Sequence, residues 1–92
     1  MTYKLETSVD DAYFRAYHYL VTMDDVLKFD EARRWMTQAY EVSDRVVAHD
    51  NIPNPHWAFD VLYRHYMIYL KDSEELSWFE LRYGPPAAEP EI

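Results

Sequence analysis

The chain has 92 residues, 49% of them hydrophobic and 17% aromatic, with nine tyrosines, one glycine and no cysteine. That length allows one core, and the lack of thiols removes disulfides and thiolate zinc sites as sources of stability. Seventeen acids against nine Lys and Arg give a formal charge of −8. The lysines, spread at 4, 28 and 71, cannot form the clustered positive charge that nucleic-acid binding requires, so direct nucleic-acid binding is not expected.

The opening "MTYKLETSVDD" has no basic start followed by an apolar core, and no run reaches the ~18 uncharged apolar residues of a membrane span. A soluble cytoplasmic protein is the expectation. Strong breakers are confined to the prolines at 53, 55, 85, 86 and 90 and to Gly84, which suits long helices and argues against glycine-turned hairpins. The predicted fold is therefore all-α: a small bundle of three long helices plus a short C-terminal helix, with the third helix central. One helical domain is expected over 1–84, followed by a flexible Pro/Glu-rich tail over 85–92.

In chain order, Ser8 with Asp11 three residues later reads as a cap for a first helix over about 9–22. Its wheel gathers Val9, Ala12, Tyr13, Ala16, Tyr19, Leu20 and Met23 on one face, with Phe14, Tyr17 and Val21 as a second stripe. The second helix has two candidate starts, Thr22 and Asp30. Ala32, Met36, Ala39, Tyr40, Ser43 and Val47 line one side, and the helix is expected to stop near His49 in the turn-forming "HDNIPNP". The run "FDEARRWMTQAYEV" resembles the second helix of a tetratricopeptide unit, with Ala32 and Ala39 at the small positions. The resemblance covers 14 residues, and no function is carried over from it.

Asn54 then reads as an N-cap with Pro55 at the first helical position, opening a third helix through "HWAFDVLYRHYMIYL". That helix is apolar nearly all round, with Asp60, Arg64 and Lys71 as its polar strip, so it is placed at the centre. Asp72 with Glu75 predicts a short helix over 73–82. The alternative for that segment is a strand in which Phe79, Leu81 and Tyr83 alternate with Trp78, Glu80 and Arg82, paired with the likewise alternating "TYKLE".

Reactive motifs are missing. One glycine cannot build a phosphate-cradling loop, and Ser8, Ser43, Ser73 and Ser77 lie in no glycine elbow. His18, His49, His56 and His65 never fall at i,i+3 or i,i+4 from one another, so each reads as a surface or hydrogen-bonded core imidazole. His65 is expected to be the buried one. The acid pairs Asp10/Asp11, Asp24/Asp25, Asp30/Glu31 and Glu74/Glu75 mostly coincide with predicted helix starts, and capping explains them. No catalytic, cofactor or metal site is expected.

What remains is a surplus of rings. Tyrosine suits boundaries and interfaces, so an aromatic patch rimmed by acids is expected as a partner-binding surface, comprising Phe14, Tyr17, Val21, Asp24, Asp25, Glu74, Glu75 and Trp78. The functional expectation is a small acidic protein-protein interaction module that self-associates and meets a protein partner with a basic surface. In size and composition the chain is similar to phage-encoded inhibitors of host machinery, among them anti-CRISPR proteins that occupy a nucleic-acid channel with carboxylates. The alternative is a small-molecule or nucleotide binder using aromatics with Arg33, Arg34 or Arg64. On the first reading, changing Tyr17 and Val21 to Asp abolishes association.

Overall fold

The computed structural model describes residues 3–6, 17–45 and 53–84. They form a four-stranded antiparallel sheet with two helices on one face, an α+β fold. The strands are β1 (Lys4–Glu6), β2 (Tyr19–Met23), β3 (Trp57–Leu62) and β4 (His65–Leu70); the helices are α1 (Val26–Tyr40) and α2 (Ser73–Tyr83). The sheet order is β1-β2-β4-β3.

This overturns the all-α bundle. Read at period two rather than 3.6, the stretch taken for a central third helix is a hairpin. Trp57, Phe59 and Val61 on β3 and Tyr66, Ile68 and Leu70 on β4 face the helices. These are mostly β-branched or aromatic residues, the types that fit a pleated surface. The hairpin turns without glycine at Tyr63 and Arg64, where Tyr63 takes a positive φ of 58°. The second half of the predicted first helix is β2, and the residues assigned to its first half, 9–16, lie outside the described residues.

Register sets the core. Leu5 pairs with Val21, Val21 with Ile68, and Ile68 with Phe59, giving one apolar row across all four strands. Phe29, Ala32 and Met36, at i, i+3 and i+7 of α1, pack onto this face together with Phe79 of α2. Each fully buried large apolar side chain contributes about 1.5–3 kcal/mol. A smaller cluster of Tyr17, Ala58 and Tyr69, with Leu20 and Met67 against it, forms separately.

Two reciprocal bonds join the helices. The Trp35 and Trp78 rings stack at 4.4 Å with 9° between planes. Each indole N–H donates to the other residue's carbonyl oxygen, at 2.9 and 3.2 Å. Arg82 on α2 also pairs with Glu31 on α1. At the far end of α2 the Tyr3 hydroxyl donates to the Gly84 carbonyl at 2.7 Å, and its ring meets Phe79 edge-on at 5.0 Å.

The helix boundaries follow local chemistry. Asp25, rather than Thr22 or Asp30, caps α1, its carboxylate accepting from the Leu27 N–H at 2.9 Å. The helix ends at Glu41 instead of continuing toward His49, which is outside the described residues. Asn54 is no helix cap; it is a buried rivet. Its amide nitrogen donates to the carbonyls of Tyr40 and Val42, its side-chain oxygen accepts from the His56 N–H, and its own carbonyl accepts from the Tyr17 hydroxyl. The capping pattern at Asp72 does start a helix, α2, and "KLE" forms β1, paired with β2 rather than with the C-terminal segment. His65, expected inside, is exposed at the start of β4.

Both helices end on a residue with positive φ: Gly84 at 75° and Glu41 at 71° with ψ 177°. Glycine adopts that geometry freely, whereas a residue with a Cβ is strained there. Glu41→Gly is therefore expected to stabilise the fold by about 1 kcal/mol, seen as a higher urea midpoint. A lower midpoint would show that the Glu41 side chain outweighs its backbone strain.

Burial pushes the hydroxyls of Tyr3 and Tyr17 up to about 12, with Glu80 adding to the effect at Tyr3 and the bond to Asn54 opposing it at Tyr17. Unfolded tyrosine ionises near 10, so the unfolded chain loses these protons first and stability falls as pH rises from about 10 to 12. Spectrophotometric titration is expected to show tyrosines that ionise only together with loss of the folded circular-dichroism signal. Full ionisation of all tyrosines near pH 10 in a folded chain would contradict this.

Candidate functional site

The two ends of the antiparallel sheet differ in chemistry. At one, β4 ends, β2 and β3 begin, and α2 starts; at the other, β2 ends, the hairpin turns and α1 starts.

The first end gathers ionisable groups. His56 lies just before β3, and Glu74 and Glu75 lie in the first turn of α2. The Lys71 N–H donates to the His56 carbonyl at 3.0 Å, which fixes these two segments side by side. Glu75 is 2% exposed. One of its oxygens accepts from the Asp72 N–H at 3.1 Å, the return half of a capping box. The other is 2.7 Å from Nδ1 of His56. A buried carboxylate is tolerated only when both oxygens find such partners.

Tyr40, the last residue of α1, stacks on the His56 ring at 4.8 Å and 28°. Burial raises its hydroxyl's pKa, and the charges of Glu74 and Glu75 raise it further. Glu74 itself is exposed and makes no hydrogen bond or ion pair among the described residues. Donor atoms of His56, Glu74 and Glu75 all lie within 4.8 Å of one another. Beside them His18 Nδ1 sits 2.8 Å from Asp72 and 2.7 Å from the Lys71 carbonyl.

The opposite end is apolar and exposed. Leu62 and Tyr63 form the hairpin tip, and the topology brings Val26 and Leu27 of the first turn of α1 to the same end. A groove there is lined by Tyr3, Met23, Asp24, Arg64 and His65, among others.

The predicted partner-binding residues are divided between these places. Asp24 and Asp25 lie at the hairpin end, with Asp25 engaged as a helix cap. Glu74 and Glu75 lie at the other end. Tyr17 and Val21 are interior, at 2% and 0% exposed, so a carboxylate at either position unfolds the chain and cannot report on association. Trp78 is half-buried against Trp35. Phe14 is outside the described residues. Sequence reasoning missed two features, the His56–Glu75 contact and Tyr63. The first has no local signal, because its partners are 19 positions apart; the second was hidden by the helical reading of its segment.

Glu75→Ala removes a cap and the partner of His56 and is expected to cost about 2–3 kcal/mol in urea unfolding. Glu74→Ala, on the exposed neighbour, is expected to stay within about 0.5 kcal/mol of the parent. Equal effects would show that burial does not distinguish the two acids. Compared with protein-family models, with curated proteins and with solved structures, the chain matches none.

Proposed function

We propose that the chain is a protein-interaction module that docks its β3–β4 hairpin tip onto a partner protein with a basic surface. The observation that carries this reading is Tyr63. It is 89% exposed, the exposed aromatic side chain among the described residues, and it stands at a φ of 58°.

A non-glycine residue in the left-handed region costs about 1–2 kcal/mol, and two-residue hairpin turns favour Gly, Asn or Asp at such a position. Neither backbone geometry nor packing within the chain accounts for a tyrosine there. A partner that takes up the ring does account for it, because rigid tyrosines supply large contact area at low entropy cost. Strain of this kind gathers at ligand-contacting sites.

Leu62 beside Tyr63, and Val26 and Leu27 at the same end of the sheet, the last 74% exposed, are further exposed apolar side chains. Charge at this end is mixed, since Asp24 and Asp25 stand with Lys4 and Arg64. The steering toward a basic partner comes instead from the chain's net charge of −8, which accelerates encounter at low salt. Apolar contact at the tip then supplies the residence time.

A second reading, a small anionic ligand, rests on the cleft beside α1 lined by Arg33, Arg34, Thr37, Ser43 and Trp57. The Nε of Arg33 is buried there without a hydrogen-bond partner. A ligand in that cleft would raise the melting temperature, whereas the docking reading does not require one.

The test is a photo-crosslinking residue at position 63, followed by binding assays on the protein it captures. The expected partner is basic, binds more slowly as salt rises, and binds at least about tenfold more weakly to the Tyr63→Gly chain. The same substitution is expected to raise stability by about 1 kcal/mol, so binding and stability move in opposite directions. Unchanged affinity for Tyr63→Gly sinks the proposal. Capture of a second copy of the chain instead, with dimers in sedimentation, would replace the basic partner with self-association.

A further inference from the structure

We propose that His56, Glu74 and Glu75 bind a divalent transition-metal ion, independently of what the hairpin tip engages. The donor set comes from two separate elements held side by side. An imidazole precedes β3, two carboxylates lie in the first turn of α2, and their ligand atoms are within 4.8 Å of one another.

Metal bonds to nitrogen and carboxylate oxygen are about 2.0–2.2 Å long, so ligands on a common ion stand at most about 4.4 Å apart. The spread therefore has to close only slightly. Glu74 supplies that movement, because its side chain is exposed and makes no hydrogen bond or ion pair among the described residues. The other two ligands are already fixed. The Tyr40 ring holds the imidazole plane, and the Asp72 N–H holds the second oxygen of Glu75. Such support of ligands by neighbouring groups is what metal sites require of their surroundings.

Charge balance points the same way. Glu74 and Glu75 are adjacent, and among the described residues neither forms an ion pair with a lysine or arginine; the ion pair of Glu75 is with His56. By contrast, Glu31, Asp30 and Asp60 each pair with a Lys or Arg. The start of α2 offers about half a positive charge, which two carboxylates exceed. An ion seated between Nδ1 of His56 and the carboxylates takes the place of the hydrogen that Nδ1 and Glu75 now share, and that hydrogen moves through water to Nε2 of the same ring. One imidazole with two carboxylates suits Zn²⁺, Co²⁺ or Mn²⁺, whereas Mg²⁺ and Ca²⁺ prefer all-oxygen sites.

The experiment uses the full chain stripped with a chelator and titrated with Zn²⁺ or Co²⁺, with Mg²⁺ as control. One equivalent is expected to bind, the melting temperature to rise with Zn²⁺ but not with Mg²⁺, and Co²⁺ to show visible ligand-field absorption. Glu74→Gln, at an exposed position that the fold does not use, is expected to weaken binding by about tenfold or more, as is His56→Gln. His18→Gln, which removes the neighbouring imidazole, is expected to leave binding unchanged. No ligand-field band and no melting shift at about 1 mM metal overturns the proposal. So does binding that survives Glu74→Gln and His56→Gln, or that is lost in His18→Gln alone.

Discussion

Strand β4 is hydrogen-bonded on both edges, to β2 on one side and β3 on the other, and the molecule is organised around that double pairing. A strand held on both sides has no freedom to slip without breaking two ladders. A slip of one residue would carry Tyr66, Ile68 and Leu70 to the wrong face. Because Ile68 is fixed opposite both Val21 and Phe59, the apolar row beneath the helices is continuous. Phe29, Ala32, Met36 and Phe79 then have one surface to cover.

The same strand separates the two ends of the molecule chemically. Where β4 ends, backbone bonds from His18 and Lys71 bind the neighbouring strands together, His56 contacts Glu75, and the Tyr40 ring stacks on His56. Where it begins, the chain reverses through Tyr63 and leaves Leu62 and Val26 in solvent. Polar groups with fixed geometry lie at one pole and unpaired apolar groups at the other. That division leaves the cluster of His56, Glu74 and Glu75 and the apolar hairpin tip with no residue in common.

Parts of this arrangement were legible in the sequence. Asp72 and Glu75 announce α2 because a capping box is a local signal within one turn. Ala32 and Met36 mark the inward side of α1, although its start at Asp25 lay between two candidate caps. The hairpin was not legible through the same reasoning. A run so rich in aromatic and aliphatic residues satisfies a helical wheel and an alternating strand equally, and the usual arbiter, a glycine or asparagine at the turn, is missing between Leu62 and His65. A helical reading leaves Tyr17 and Val21 on a second, outward stripe, whereas in the structure both are interior. Of the acids singled out, Glu74 and Glu75 do lie together, but their juxtaposition with His56 depends on how β3 and α2 meet, which no local pattern encodes.

The Trp35–Trp78 stack has a use beyond packing. Two indoles nearly parallel at 4.4 Å couple their electronic transitions, so the pair carries its own near-ultraviolet optical signature, distinct from that of Trp57, which has no indole partner but meets the Phe59 ring at 6.1 Å. Separation of the helices would erase that signature while the strands remained paired, giving a spectroscopic gauge of helix docking that needs no added label.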